Sequence, residues 1–208
     1  MEEKNRTLLL ILQAAREEFL AKGFQGASLR RIVKKAGVTT GAFYRYYPTK
    51  EALFEALVKP AADAIQGYFA SGLREIRETP PEKQTGEMLH VSADTLDQVL
   101  DYIYDGHYDA VKMLLCCAGG TAYENFVQEI VEQEVDATAR YLDALRSLGQ
   151  WVPDLDRGLC QMISSGMFFG VFEMVVQDMK KEDAKKRIRY LKEFHIGGWE
   201  RILGVKFD

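Results

Sequence analysis

Six residues punctuate the first fifty positions and from Gly23 onward leave room only for short helices: Gly23, Ser28, Gly37, Thr39, Pro48 and Thr49. Glycine without a Cβ ends a helix cheaply, and a serine or threonine hydroxyl satisfies an orphan amide at the next helix start. Proline pushes the residue before it out of helical geometry. Between these marks the apolar residues recur with helical period. Leu8, Ile11, Leu12, Ala15, Phe19 and Leu20 form a stripe that Gly23 closes. Ser28 is placed to cap LRRIVKKA, with Leu29, Ile32 and Val33 on one side and Arg30, Arg31, Lys34 and Lys35 around the rest. Gly37 ends that segment, Val38 plugs the turn, and Thr39 caps TGAFYRYY. Thr49 then opens a long helix beginning KEALFEALV.

Two short helices joined by a tight glycine turn form the helix-turn-helix pattern, whose second helix enters the DNA major groove. The charge distribution agrees. Residues 1–50 hold ten Lys/Arg against four Glu, although the whole chain carries a net charge of −4. A basic end on an acidic remainder points to a polyanionic partner at that end alone. Within TGAFYRYY, Phe43 and Tyr47 stand four apart and are expected to pack inward. Base readout is expected from Thr39, Thr40 and Gly41, with Arg45 and Arg30 as the long reachers. For Arg45 a guanine and a phosphate are equally open. Ser28 serves the cap or a phosphate, and Arg31, Lys34 and Lys35 read as solvated or peripheral phosphate partners.

ILQAAREEFLAKGFQGASLRRIVKKAGVTTGAFYRYYPTKEALF resembles the DNA-binding region of the TetR/AcrR family of transcriptional regulators. The Ala36-Gly37-Val38 turn, the Tyr44-x-Tyr46 pair and the Pro48-x-Lys50 corner carry the likeness, over about a quarter of the chain. Ala42 departs from the usual Ser or Thr, and Tyr47 from the usual Phe. The resemblance implies that Tyr44 and Tyr46 reach phosphates and that Lys50 clamps one from the side. It further implies an all-α chain: a three-helix helix-turn-helix domain over 1–50, then a helical effector-binding and dimerisation domain over 51–208. The expected partners are a double-stranded DNA operator, a second copy of the chain and an unidentified small-molecule effector.

In the remainder, Pro60 is expected to kink the long helix, and a loop is expected near TPPEKQ. Gly106, Gly119-Gly120 and LGQWVPD separate the later helices. The run LCQMISSGMFFGVFEMVV is apolar all round, so it must be covered on two sides. Gly166, Gly170, Glu173 and Met174 on this helix, and Leu191, His195, Trp199 and Ile202 on the last, are the expected homodimer face. An effector pocket is expected to draw on Tyr102, His107, Met113, Cys117, Tyr123, Phe126, Met162 and Phe169.

Cys116, Cys117 and Cys160 lack any disulfide or zinc spacing, which suits buried thiols in a reducing compartment. No catalytic constellation stands out, and no cofactor is expected: Asp105, His107 and Asp109 scatter around a helix. The opening LLLILQAA runs straight into Arg16-Glu17-Glu18 and is expected to be helix rather than a leader. Gln161 and Glu173 make Leu159–Val176 a core helix rather than a membrane span, and a cytoplasmic protein is expected. The rival reading is a helical protein-interaction module, or an orphan regulator without a ligand. Neither module nor fold alone requires the basic end.

Overall fold

The computed structural model describes residues 2–207, which are all-α, as expected. Along the chain come α1 (Glu2–Gly26), α2 (Leu29–Ala36), α3 (Thr40–Tyr44), α4 (Lys50–Glu78) and α5 (Pro81–Tyr102). A π-helical turn (Ile103–His107) leads to α6 (Tyr108–Cys116), α7 (Phe126–Ser147), α8 (Arg157–Val176) and α9 (Lys181–Leu203). The punctuation acts as its chemistry requires. Gly23 breaks the helical path at φ 65°, and Gly37 ends α2 in the left-handed region at φ 67°. The Thr39 and Thr49 hydroxyls accept from Ala42 N and Ala52 N, each at 3.1 Å. Proline is tolerated at the start of a helix, where no amide partner is lost. Hence α5 begins at Pro81, and the loop expected over TPPEKQ shrinks to Thr79 and Pro80.

Two compact units divide the chain: Met1–Ala64 with Gly106–Phe126, and Ile65–Asp105 with Val127–Asp208. In the first, Phe19, Phe24 and Phe54 cluster edge to face and stacked, with ring centroids 5.1 Å apart for Phe19–Phe54 and 5.3 Å for Phe24–Phe54. Ile11, Ala15, Ile32, Phe43 and Leu53 complete a core removed from water. Residues far beyond position 50 belong to the same unit. Phe24 N donates to Cys117 O at 2.9 Å, and Arg16 pairs with Asp109 at 3.8 Å. No local signal announces this, because α6 joins through contacts distant in sequence.

In the second unit, Phe69 of α4 meets Phe168 of α8 edge-on at 5.2 Å. Tyr141, Leu142 and Leu145 of α7 pack with Leu203 and Phe207. By length and composition α8 could cross a membrane. Here its Phe168, Val171, Phe172 and Val175 are core residues. Of the cysteines, Cys117 and Cys160 are buried as expected, whereas Cys116 is exposed.

The crossing of α4 and α5 depends on Gly72. A Cβ there would lie 2.5 Å from Thr95 Oγ1 and 3.4 Å from Val91 Cγ1. Five residues earlier on α4, Gly67 faces open space. Opposite outcomes are therefore expected from one substitution type. Gly72→Ala lowers unfolding stability by about 1–3 kcal/mol through overpacking. Gly67→Ala raises it by about 0.5–1 kcal/mol through helix propensity. Urea titration of the two variants checks the pair.

Candidate nucleic-acid interface and cavity

The turn between α2 and α3 is built from the backbone outward. Gly37 N–H closes onto Lys34 O and Val33 O, and Val38 N follows onto Val33 O at 3.2 Å. Thr39 remains extended, and α3 starts with its first turn uncovered. One ring holds α3 down. Phe43 is fully buried, with Tyr44 edge-on at 5.4 Å and Tyr47 tilted at 6.3 Å. Burial pushes the Tyr47 phenol up, as suits its inward-facing ring. Tyr44 is 52% exposed, and Thr39, Thr40, Gly41 and Arg45 are exposed with it. Tyr46 is half-buried.

The surrounding cations fall into two groups that the sequence did not separate. Arg31 is held by Glu18 at 2.7 Å and donates to Gly26 O at 3.1 Å. Lys35 pairs with Glu17. These pairings hold both carboxyls below the usual carboxylate range, through hydrogen bonds from Lys35 to Glu17 and from Arg31 to Glu18. Arg30, Lys34 and Arg45 have no side-chain hydrogen bond or ion pair among the described residues, and all three are exposed. Arg30 and Lys34 stand four apart and share one face of α2. Lys34 thus joins Arg30 as an uncommitted cation, a distinction that depends on where α1 lies.

Two expected phosphate partners have structural work inside the unit. Lys50 Nζ donates to Phe24 O at 2.8 Å and to Ala27 O at 3.3 Å, and sits 4.3 Å above the Phe24 ring. Ser28 is the N-cap of α2, yet its hydroxyl makes no capping bond. Its amide instead donates to Glu18 Oε1 at 3.0 Å. Glu18 therefore joins α1 to the start of α2 by both backbone and side chain.

The second unit holds a partly open cavity of about 220 Å³ between α4, α5, α7, α8 and α9. Phe69, Met88, Ile163, Met167 and Trp199 supply apolar wall. None of the eight residues expected around an effector lines it. Met113, Cys117 and Phe126 lie in the core of the first unit, where Tyr123 is half-buried and His107 exposed. Tyr102 stacks edge-on with Tyr68 at 5.9 Å in the second unit. Met162 (73% exposed) and Phe169 (52%) face outward on α8.

Of the residues expected at a dimer face, Gly166 and Glu173 share that outward strip with Met162 and Phe169. Met174 is buried within its own unit. Gly170 admits α9 of the same chain: a Cβ there would meet Leu191 Cδ2 at 3.0 Å. Ile202 is half-buried against the Tyr141–Leu203 cluster. His195 and Trp199 line the cavity, and burial lowers the His195 pKa.

A short α2–α3 turn anchored by Phe43, with an uncovered first turn and uncommitted cations, defines a helix-turn-helix nucleic-acid-binding domain. Residues 11–57 match the family model described as bacterial regulatory proteins, tetR family. Over 48 residues the chain is 48% identical to YdgC of Bacillus subtilis (strain 168), an uncharacterized HTH-type transcriptional regulator, covering 23% of this chain and 25% of YdgC. Over 57 residues it is 37% identical to the nucleoid occlusion factor SlmA of Actinobacillus pleuropneumoniae serotype 5b (strain L20), covering 27% of this chain and 28% of SlmA. The matches thus span about a quarter of the length of these curated relatives.

Beyond that region the likeness is one of fold. SCO3833 of Streptomyces coelicolor A3, a TetR-family member, superposes with a TM-score of 0.59 at 18% identity, over 90% of each chain. NalD of Pseudomonas aeruginosa, the secondary repressor of the MexAB-OprM multidrug efflux pump, does so with 0.56 at 20% identity, over 92% of this chain and 96% of its own.

Glu134 is the acid in the cavity wall, and the sequence did not mark it. Burial alone pushes its carboxyl up to about 7, against an ordinary value of 4.5. The residue keeps partial exposure, which works against a shift of that full size. The fold accordingly holds more protons than the unfolded chain between these two values. The stability linked to the neutral acid is complete below pH 4.5 and is lost as pH rises through about 7. Glu134→Gln, neutral throughout, should leave stability near parental at about pH 4.5 and raise it by on the order of 2 kcal/mol at about pH 8. Urea unfolding at both pH values reads the difference.

Proposed function

We propose that the protein is a homodimeric, effector-responsive transcriptional regulator that binds a near-palindromic operator, most simply as a repressor. One observation carries the DNA-binding part: Arg30, Lys34 and Arg45 are uncommitted beside the uncovered Thr39–Gly41 turn. Thr39, Thr40 and Gly41 approach base edges, and Arg45 takes a guanine or a phosphate. Tyr44, Tyr46, Lys34 and Ser28 set the position through phosphates, and Arg30, expected from the sequence as a base reader, joins them because it shares one face of α2 with Lys34. Lys50 acts chiefly by fixing the carbonyls of Phe24 and Ala27, with one ammonium donor left for a phosphate.

The pairing of two copies is supported by an apolar strip with no cover in the single chain. Met162 and Phe169 on α8, with Tyr190 and Phe194 (76% exposed) on α9, lie open to water. A symmetric copy covers such a strip most simply. Two α3 helices then reach successive major grooves about 34–36 Å apart. The cavity supports a small-molecule effector, which acts to the extent that it binds the DNA-competent and DNA-incompetent states differently. No enzymatic role is assigned to the chain.

Selection from a random duplex pool, followed by titration of the winner across salt, tests this reading. A two-fold-symmetric winner with steep salt dependence is expected. Arg30→Ala and Lys34→Ala should each weaken binding to every sequence and flatten the salt slope by about one. Arg31→Ala should cost stability while leaving that slope nearly unchanged, because its charge is already paired with Glu18. No enrichment of any duplex, or affinity indifferent to salt, would favour a protein-interaction module instead.

A further inference from the structure

The cavity wall is apolar apart from a few groups, and these are not equivalent. Tyr141 Oη shares a 2.8 Å hydrogen bond with Thr85 Oγ1 and is satisfied. From α4 comes Arg77, and from α7 Arg140; both are exposed, so water screens their charges. From α9 come Lys192, which faces Asp97 at 3.9 Å, and His195, whose pKa burial lowers. The lining residues from α5 and α8 bring no ionisable group. Glu134 is the acid among the lining residues, and it has neither a hydrogen-bond donor nor a counter-ion among the described residues. An acid left uncompensated against apolar wall is costly to ionise, and a cation carried in by a ligand removes that cost.

We propose that this cavity takes a lipophilic monocation, an alkyl- or arylalkylammonium, with Glu134 as its counter-charge and the Phe69, Met88, Met167 and Trp199 surfaces around its apolar body. The assignment rests on the effector-responsive reading above and specifies the chemical class of the ligand. A carboxylate headgroup would be repelled by ionised Glu134. A neutral molecule of the same shape would leave the acid unpaired.

The test uses octylammonium, 1-octanol and octanoate, each below its aggregation limit, on full-length protein. The chain has two tryptophans, and Trp151 is exposed in a loop. Trp151→Phe therefore leaves Trp199 as the reporter of cavity occupancy. Octylammonium should bind at least about tenfold more tightly than the other two at about pH 8. Its affinity should rise about tenfold from about pH 6 to about pH 8 as Glu134 loses its proton. Glu134→Gln, which keeps size and shape, should erase both the preference and the pH dependence. Binding of none of the three, tightest binding of octanol or octanoate, or a Glu134→Gln variant that keeps the preference would each overturn the proposal. A mobility assay on the selected operator separates the two readings. Octylammonium that binds as expected without loosening the operator complex would sink effector control while upholding the ligand class.

Discussion

The grip of Lys50 on the end of α1 is the interaction on which the N-terminal unit depends. Its ammonium bonds the carbonyls of Phe24 and Ala27 while lying over the Phe24 ring. Those carbonyls stand where α1 breaks and α2 has yet to begin; the only other backbone bond to Phe24 O among the described residues is a 3.3 Å turn contact from Ala27 N. The same Phe24 ring packs on Phe19 and Phe54, so one lysine ties the α1 terminus, the aromatic core and the first turn of α4 together. With those three fixed, α2 and α3 can only hang between them. The five residues of α3 are too few to be stable alone, and Phe43 in the core holds them.

Electrostatics then sorts the surface. Glu17 and Glu18, on consecutive positions of α1, neutralise Lys35 and Arg31 on α2. Each pair costs the unit a cation that could have met a phosphate. In return, Glu18 also satisfies the Ser28 amide, so the α1–α2 angle is set by a partly buried carboxylate with two kinds of donor. On α2 and α3 and the cap that follows, the cations left without a partner among the described residues are Arg30, Lys34 and Arg45, beside the exposed turn of α3. A field concentrated there favours one docking orientation over nonspecific adhesion by the whole basic segment.

The second unit solves a different packing problem. Long helices meet closely where side chains are small, and two glycines stand at such crossings, Gly72 against Thr95 and Gly170 against Leu191. Between such crossings the helices leave unfilled volume. Glu134 at its wall suits a ligand site better than a core, since a void lined by an unpaired acid forfeits both contacts and solvation. Along α8 the all-round apolar composition resolves into an inner row with Phe168, Val171, Phe172 and Val175 and an outer row with Met162 and Phe169.

The sequence by itself determined the helices, their caps and the helix-turn-helix turn. Those features arise from neighbours within four residues: Gly37 in the left-handed region, Thr39 and Thr49 accepting amides three residues on, Phe43 and Tyr47 on one face. The tertiary structure alone decided which cations are free, that Lys50 binds carbonyls, and that α6 belongs with the first helices. It also put the cavity among Phe69, Met88, Trp199 and Glu134 rather than around Tyr102, His107 or Met113. The reason is range. A cap or a stripe is written in adjacent residues, whereas a charge is neutralised and a cavity lined by side chains that meet only after helices far apart in the chain have packed.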